Sequence, residues 1–249
     1  MHVYKKFNAL VLHRVIDGNP ENFIDIRLTT LKNMLSNKEY NFVSIDDVLN
    51  AKGSMKPCIC LTFDDGFSSD CDLVLPELKK ISAVATFFIV TDFLDTPNYL
   101  TTKQVKYLSD EGMQIGSHSK SHSNFLMLTP DERLEELDES KAVLEDIIGK
   151  KITSFSFPYG FFDDECSRAV FASGYSSCCT SSHGLTSKEG SMVNRNSINF
   201  KTSMKRIDKI FRARLDQRVT WYFEDRIKVI LKRYFPNSYI ILRNLGSRL

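Results

Sequence analysis

The chain has 249 residues, of which 42% are hydrophobic and 26% charged, proportions that are ordinary for a globular protein with one substantial core. Its net charge of +2 is unevenly divided: residues 201–249 carry 13 Lys/Arg against 4 Asp/Glu, a net charge of +9, and residues 1–200 carry a net charge of −7. No run approaches the roughly 18 apolar residues of a membrane span, and no N-terminal segment has the length of a signal peptide. This composition excludes a disordered or membrane-spanning chain, and we expect a cytoplasmic protein with an acidic body and a basic tail.

Seven short apolar runs alternate with amphipathic stretches along the first 180 residues. The predicted strands are Ala9–Leu12, Asn41–Ser44, Cys58–Phe63, Val84–Val90, Met113–Gly116, Thr153–Phe157 and Tyr175–Cys179. The predicted helices are Ile26–Leu35, Asp46–Ala51, Leu73–Ile81, Thr102–Asp110, Thr129–Ile148 and Asp163–Ser173. This alternation predicts an α/β fold with a parallel sheet and crossover helices, although periodicity alone does not separate an open sheet from a closed barrel.

The longest of these helices has clear signals at both ends. Thr129 is its expected N-cap, Pro130 opens the first turn, Glu132 completes a capping box, and Gly149 ends the helix. Its expected buried face comprises Leu134, Leu137, Val143, Leu144 and Ile147.

The basic tail predicts a further helix from Lys201 to Phe235, because apolar residues recur there every three to four positions. The apolar positions are Ile207, Ile210, Phe211, Leu215, Val219 and Tyr222, and the charged face is Lys205, Arg206, Lys209, Arg212 and Arg218. We therefore divide the chain into a body, residues 1–200, and a basic helical C-terminal extension, residues 201–249, packed on it. We prefer a solvated charged face. The alternative is contact with an anionic surface, either phospholipid headgroups or a diphosphate-linked glycan.

The six cysteines do not form a recognisable metal motif. Cys58 and Cys60 are two residues apart in one apolar run, which is not the spacing of a zinc knuckle. We expect all six to be reduced thiols in the core of a cytoplasmic protein.

Two carboxylates, Asp64 and Asp65, follow the predicted strand Cys58–Phe63 directly. Because neighbouring side chains of an extended chain point to opposite sides, one can bind a cation while the other turns toward a bound water. The cation would keep the second carboxylate ionised, as a general base requires. Asp-Asp-Gly is also common turn chemistry, and this alternative stays open.

Two histidines, His118 and His122, follow the predicted strand Met113–Gly116. The spacer between them has poor helix propensity, so we predict a loop that wraps both imidazoles around one ion rather than a helical zinc motif. The alternative is a pair of exposed loop histidines. With one carboxylate they would make a three-ligand catalytic metal site with a position open for water, which indicates a metal-dependent hydrolase.

A third segment, Phe157–Gly160 (FPYG), completes an ordered set of motifs. Together with Thr62–Gly66 (TFDDG) and His118–His122 (HSKSH), it resembles the motifs of the NodB-type polysaccharide deacetylases, carbohydrate esterase family four. Ala85–Phe88 (ATFF) resembles the family's strand after the first motif. The resemblance covers about residues 7–200 and implies a distorted, incomplete (β/α) barrel with catalytic residues at the carboxyl ends of its strands.

Carried over to this chain, the resemblance implies a role for each matching residue. Asp64 would be the general base. Asp65, His118 and His122 would ligate a divalent metal, usually zinc, with cobalt or nickel as alternatives. The backbone N–H of Tyr159 would stabilise the oxyanion. Pro158, Tyr159 and Arg195 are expected to contact the substrate.

The chain departs from the family pattern at two places. Many members carry an arginine that orients the base where this chain has Ser156, and we predict that Arg195 replaces it, with an ordinary strand-edge arginine as the alternative. A late Leu-x-His motif, the usual source of the general acid, is not evident. Instead His13 ends an apolar run, which resembles the branch of the family whose acid histidine lies on the first strand; a histidine that merely caps the strand is the alternative. His183, in a Ser-rich loop, is expected on the surface.

These features predict hydrolytic removal of N-acetyl groups from amino sugars of a polysaccharide or a glycan precursor. Metal-bound water would attack the amide with Asp64 as base, and His13 would protonate the leaving amine. The alternatives are deformylation or O-deacetylation by the same residues, or a catalytically silent carbohydrate-binding protein on the same fold. Nucleic acid is not an expected partner, because the sequence contains no recognisable nucleic-acid-binding module.

Overall fold

The computed structural model describes residues 6–50 and 56–234. The strands within these ranges are β1 Lys6–Leu12, β2 Val15–Ile16, β3 Ile26–Arg27, β4 Asn41–Phe42, β5 Cys58–Phe63, β6 Thr86–Ile89, β7 Gln114–Ser117, β8 Ser154–Ser156, β9 Ser177–Cys179, β10 Leu185–Ser187, β11 Met192–Val193 and β12 Arg195–Ser197. The α-helices are α1 Leu28–Leu35, α2 Ile45–Asn50, α3 Leu75–Lys79, α4 Thr102–Asp110, α5 Pro130–Ile148, α6 Asp164–Ala172, α7 Met204–Phe211 and α8 Leu215–Tyr234. Ala51, the predicted end of the second helix, and residues 235–249 of the predicted extension lie outside the described residues.

Ten of these strands form one curved sheet in the order β10-β1-β5-β6-β7-β8-β9-β11, with β12 added to β1 and β4 added to β5. All pairs in it are parallel except β1 with β10. Only Asn194 separates β11, at one end of the sheet, from β12, which pairs with β1 near the other end. The sheet is therefore nearly closed, and the expected distorted, incomplete (β/α) barrel is confirmed.

The side chains of β5 alternate between two hydrophobic clusters, as the two-residue period of a strand requires. Cys58 and Cys60 belong to a small cluster inside the curve of the sheet, together with Phe88 of β6. The intervening Ile59 and Leu61 belong to the large cluster between the sheet and the surrounding helices. Asp64 continues the inward row beyond the end of β5, which explains why its side chain is buried. All six cysteines are free thiols.

Helix α2 covers the amino end of the barrel. The backbone N–H of Ile45 donates to Thr86 Oγ1 at 3.1 Å, and the N–H of Asp46 donates to Gln114 Oε1 at 3.1 Å. Thr86 and Gln114 are the first residues of β6 and β7. Because the strands are parallel, their carboxyl ends all lie at the opposite rim, which is where the motif residues are found.

Helix α5 confirms the predicted capping signals but only part of the predicted buried face: Leu137 and Leu144 are buried, and Ile147 is partly buried. Thr129 and Glu132 form the reciprocal capping box, and Gly149 ends the helix in a left-handed conformation. Leu134 and Val143, expected in the core, are exposed. Their places on the inner side are taken by buried polar or charged residues, namely Arg133, Glu136 and Ser140.

The C-terminal extension is helical, but it breaks into α7 and α8 around Ala213, whose φ is +44°. Ile207, Ile210 and Phe211 of α7 are buried as predicted. In α8 the predicted apolar face is wrong: Leu215, Val219 and Tyr222 are exposed, and Gln217 and Trp221 are buried instead. The break changes the rotation of the second helix relative to the first, which a single uninterrupted period does not anticipate. No described helix is both long and apolar enough to cross a membrane.

Candidate active site

The motif residues converge at the carboxyl rim of the barrel. Asp64 follows β5, His118 follows β7, Tyr159 follows β8, and His13 follows β1. A cavity of about 580 Å³ opens at this rim, and Asp64, His13 and Tyr159 contribute to its wall. The structure thus brings together residues that are more than 140 positions apart in the sequence.

The carboxylate of Asp64 is held by Arg195 in a bidentate ion pair. Nη1 of Arg195 lies 2.6 Å from Oδ1 of Asp64, and Nη2 lies 2.8 Å from Oδ2. Two of the three remaining arginine donors reach Thr62 Oγ1 at 3.0 Å and the carbonyl oxygen of Thr180 at 3.1 Å. Arg195 is 2% exposed. Two parallel N–H···O bonds of this kind fix both the position and the orientation of a carboxylate.

Arg195 also sets the charge of Asp64. Burial acts to raise the pKa of this carboxyl group, but the positive charge of Arg195 and the hydrogen bonds that it donates outweigh it, so the pKa falls from 3.8 to about 2. Asp64 is therefore ionised at neutral pH, although it has almost no contact with solvent.

Ser156 connects this ion pair to the opposite side of the site. Its hydroxyl lies 2.8 Å from Nη2 of Arg195 and 3.2 Å from Oδ2 of Asp64. The small side chain at position 156 leaves room for the guanidinium that arrives from β12. The predicted contact between Arg195 and Asp64 is present. The arginine comes from β12, which pairs with β1, whereas position 156 lies on β8.

Asp65, His118 and His122 form a group of three metal-binding side chains whose ligand atoms all lie within 4.8 Å of one another. Oδ1 of Asp65 is 3.4 Å from Nε2 of His118 and 3.3 Å from Nε2 of His122. A tetrahedral ion with ligands at 2.0–2.1 Å separates its ligand atoms by about 3.3 Å. Among the described residues, Oδ1 of Asp65 is also buried without a hydrogen-bond partner of ordinary geometry. The three residues therefore fit a divalent cation.

A backbone contact orients His118 for this role. Its Nδ1 lies 2.7 Å from the carbonyl oxygen of Ser156, which can only accept a hydrogen bond. Nδ1 therefore carries the proton, and the lone pair of Nε2 faces Asp65. Such an outer contact is the usual way in which a protein fixes the tautomer of a metal-binding histidine.

The backbone of the site is held in a rarely adopted conformation. Asp65, Ser119, His122 and Tyr159 have φ values of +78°, +70°, +63° and +56°. Left-handed backbone is unfavourable for residues other than glycine and persists only where the surroundings impose it. Half of the eight non-glycine residues with positive φ in the described chain belong to this site.

Glu136 of α5 holds the loop between His118 and His122, a role that the sequence did not reveal. Its Oε2 accepts hydrogen bonds from the backbone N–H groups of Lys120 and Ser121, both at 2.9 Å. The hydroxyl of Ser121 donates to Oε1 of the same carboxylate. This contact explains why α5 buries a charged residue where a leucine or valine was expected. The only local signal was an acidic residue on the inner side of an amphipathic helix.

Asp70, on a π-helical turn before α3, is a third buried carboxyl group near the pair. Among the described residues, neither of its oxygens has a hydrogen-bond partner. Burial raises the pKa of Asp70 well above its ordinary value, and the negative charges of Asp65 and Asp64 raise it further. The pKa of Asp70 is therefore raised while those of Asp64 and Asp65 are lowered, so Asp70 binds its proton most strongly of the three.

The remaining predicted residues take different positions. His13 is buried at the end of β1 and lines the cavity. Pro158 is buried, while its neighbours Phe157 and Tyr159 line the cavity. His183 does not lie on the surface as expected: Nδ1 is 2.9 Å from Oδ1 of Asp225, because α8 covers the loop that carries it.

Helix α8 forms one wall of the same cavity. Glu224, Ile227, Lys228 and Leu231 line it, opposite the residues of the barrel rim. Nζ of Lys228 lies 3.2 Å from the carbonyl oxygen of Ser181 and connects the helix to the loop after β9. The C-terminal extension is therefore part of the candidate site rather than a separate appendage.

Comparison with known proteins agrees with this geometry. A model of the polysaccharide deacetylase family matches residues 51–178, just over half of the chain. Over 195 residues the chain is 27% identical to YxkH of Bacillus subtilis (strain 168), which is named as a polysaccharide deacetylase. The alignment covers 75% of this chain and 68% of YxkH. Over 168 residues it is 29% identical to the peptidoglycan-N-acetylglucosamine deacetylase PgdA of Listeria monocytogenes serotype 1/2a (strain 10403S), covering 66% of this chain. The alignment spans 34% of PgdA, so this chain corresponds to about a third of that relative.

Solved structures show the same fold. The Streptococcus pyogenes deacetylase PplD, solved in complex with acetate, superposes with a TM-score of 0.76 at 24% identity, covering 83% of this chain and 98% of PplD. A polysaccharide deacetylase from Bacillus cereus superposes with a TM-score of 0.73 at 22% identity, covering 83% of this chain and 69% of that protein. The family model and the fold lead to one conclusion: the chain belongs to the polysaccharide deacetylase family.

Proposed function

We propose that this protein hydrolyses the N-acetyl group of an amino sugar in a polysaccharide or glycan precursor. One observation carries the proposal: the ligand atoms of Asp65, His118 and His122 cluster within 4.8 Å, beside a buried Asp64 that Arg195 keeps ionised. Membership of the polysaccharide deacetylase family supports the substrate class. The reaction adds water across the amide C–N bond and yields acetate and a free amine.

Asp65, His118 and His122 would hold the metal, for which we propose zinc, with cobalt or nickel as alternatives. When bound, the ion supplies Lewis-acid activation of the amide carbonyl and of a water molecule. The chain prepares for this ion by orienting His118 through Ser156 and by holding the loop of His122 through Glu136.

Asp64 is the proposed general base. Its ionised carboxylate accepts the proton of the attacking water as the new C–O bond forms at the acetyl carbon. Arg195 holds both carboxylate oxygens and has little contact with solvent, so we propose that it positions Asp64 rather than binding the sugar. Ser156 completes this arrangement from the β8 side.

The oxyanion and the leaving group require two further residues. We assign the backbone N–H of Tyr159 to the developing oxyanion, in agreement with the unusual φ that sets the direction of this peptide. His13, buried in the cavity wall, is the proposed acid that gives its proton to the nitrogen as the C–N bond breaks. Tyr159 and Phe23 present aromatic side chains in the cavity, while Pro158 shapes the turn beneath.

The direct test is acetate release from N-acetylglucosamine oligomers, measured for the wild type and for Asp64→Asn. We expect release by the wild type with added zinc, and a rate lower by about 10² to 10⁴ in the variant, the usual contribution of a general base. Formylated and O-acetylated analogues assayed in parallel would reveal the alternative hydrolases. Oligomer binding without acetate release under any metal would contradict the proposal and favour a carbohydrate-binding protein.

A further inference from the structure

Helix α8 has two different faces. One face packs on the protein through Trp221 and lines the cavity through Glu224 and Lys228. The opposite face consists of large apolar side chains that are between 50% and 75% exposed. We call this face the apolar stripe; it comprises Leu215, Val219, Tyr222, Phe223, Val229 and Ile230.

The stripe runs along one side of the helix and is interrupted only by Arg226. At about 100° per residue, its six members fall within an arc of roughly 120° over four turns. Outside α8, Met127 is the only large hydrophobic residue of the described chain that is more than half exposed. Met127 and Val229 line the same second cavity, so this residue extends the apolar surface rather than forming another one. Contiguous apolar surface of this kind marks a contact site.

The charges on and beside the stripe that have no ionic partner are positive. Arg226 lies within the stripe and Arg218 at its edge, and neither forms an ion pair with an acidic side chain of the described chain. The guanidinium of Arg226 lies 5.2 Å from the ring centroid of Tyr222, and its Nη2 donates to the hydroxyl of Tyr222 at 2.8 Å. The three acidic residues of α8 have basic partners: Asp216 pairs with Lys209, Glu224 with Arg206, and Asp225 with Lys228.

This combination of apolar and cationic groups identifies the partner. Large apolar side chains accompanied by arginine are what an interfacial helix presents to anionic lipids. A second copy of the protein fits less well, because pairing two stripes would bring the arginines of one copy close to those of the other. The net charge of +9 in residues 201–249 also favours an anionic partner.

We infer that the apolar stripe of α8 binds the surface of an anionic phospholipid bilayer. The stripe would enter the headgroup region while the opposite face of the helix keeps its contacts with the barrel. Because α8 also forms a wall of the candidate active site, the cavity would lie next to the membrane surface. A substrate at the membrane surface would then be close to Asp64 and Tyr159.

Vesicle co-sedimentation of the full chain tests this inference. Vesicles of phosphatidylcholine with a quarter phosphatidylglycerol are compared with phosphatidylcholine alone at two salt concentrations. We expect at least tenfold tighter binding to the anionic vesicles, weakened by salt. The variant Val219→Ser/Phe223→Ser/Ile230→Ser should lose this binding at least tenfold. Arg218→Gln/Arg226→Gln should lose it several-fold and depend less on salt.

A matched control removes exposed apolar residues far from the stripe. Ile81→Ser/Val143→Ser changes partly exposed side chains outside α8 and should bind vesicles like the wild type. Equal losses in this control, or no vesicle binding by the wild type, would overturn the inference. So would a wild-type dimer that the stripe variant converts to monomer. A large fall in melting temperature in the stripe variant would instead show that the stripe is buried in the folded protein, which also overturns the inference. Vesicle binding is measured without turnover, so these results leave the proposed hydrolysis to its own test.

Discussion

Asp64 and Asp65 are adjacent in sequence, but the protein treats their carboxylates in opposite ways. Both oxygens of Asp64 are bonded to Arg195, a cation that the chain itself supplies. Oδ1 of Asp65 faces two imidazoles at 3.3 and 3.4 Å and, among the described residues, accepts no hydrogen bond of ordinary geometry. Asp65 follows Asp64 with a left-handed backbone, φ +78°, and its side chain lies beside the two histidines instead of in the inward row of β5.

The comparison shows how a structure can separate a base from a ligand. A base must be ionised, oriented and kept in place through the reaction, and an internal arginine does this. A ligand must keep a lone pair available for an ion, so its charge is left uncompensated by the protein. Each side also has its own support: Arg195 for the base, and Glu136 for the histidine loop.

Replacing the two carboxylates one at a time would give the largest effects. We expect Asp65→Asn to lose most metal, because a neutral amide is a weaker ligand than a carboxylate, and to lose turnover with it. Asp64→Asn should keep the metal and lose turnover only. Metal content per chain, measured by elemental analysis beside acetate release, checks both. Equal metal loss in the two variants would show that the carboxylates do not have separate roles.

Replacing Arg195, the cation that holds Asp64, should have the next largest effect. Arg195→Met leaves Asp64 buried without its partner, which costs about 3–5 kcal/mol of unfolding free energy. Because Arg195 lowers the pKa of Asp64 to about 2, the pair stabilises the folded state fully above pH 3.8 and loses its effect as the pH falls toward 2. Urea unfolding at pH 7 and pH 3 measures this. A deficit that is as large at pH 3 as at pH 7 would indicate lost packing instead.

Removing the charge of Glu136, which holds the loop between His118 and His122, should have a smaller effect. Glu136→Gln keeps the shape of the side chain but removes the charge that two backbone N–H groups share. We expect a loss of about 1–3 kcal/mol of stability and weaker metal affinity, with the ion pair of Asp64 unchanged. Zinc titration with a competing chelator gives the affinity. Asp138→Asn, which changes an exposed carboxylate two positions later on α5, is the control and should bind zinc like the wild type.

Asp70 should show the smallest effect, and its sign depends on pH. Its folded pKa is raised, so the carboxyl group ionises in the unfolded chain at a pH where it stays neutral in the folded one. The contribution of Asp70 to the stability of the folded state therefore decreases as the pH rises above about 3.8. Asp70→Asn should remove this dependence. In protein freed of metal with a chelator, the variant should gain stability over the wild type at pH 7, by about 1 kcal/mol more than at pH 3. Unfolding at the two pH values checks it, and a variant less stable at pH 7 would contradict the assignment of a neutral Asp70.

The sequence predicted best those elements whose pattern is long and local. The strand Cys58–Phe63 and the helix Thr102–Asp110 have the predicted bounds, because one has a full apolar run and the other a capping box. Strands β2, β3, β10, β11 and β12 were not predicted, since each has only two or three residues and lies outside the seven apolar runs that marked the other strands. The buried faces of α5 and α8 were partly wrong because tertiary contacts decide which side of a helix is covered.

The candidate site was predictable to the extent that its residues lie in motifs. Asp64, Asp65, His118 and His122 follow strands directly, and parallel strands bring their carboxyl ends together. Arg195 was predicted because the base needed a cation that position 156 does not supply. Glu136, Asp70 and the pairing of His183 depend on distant segments packing against one another, and no local pattern encodes such contacts.

The position of Arg195 on β12 has a consequence for how the protein is made. The arginine enters the barrel 131 residues after the carboxylate that it pairs with. A ribosome therefore releases the metal-binding residues long before the base receives its counter-ion. Until the last strand docks against β1, the nascent chain holds an unpaired Asp64 and cannot complete the interior of the sheet. The ion pair that holds the proposed base therefore requires β12 to be in place beside β1.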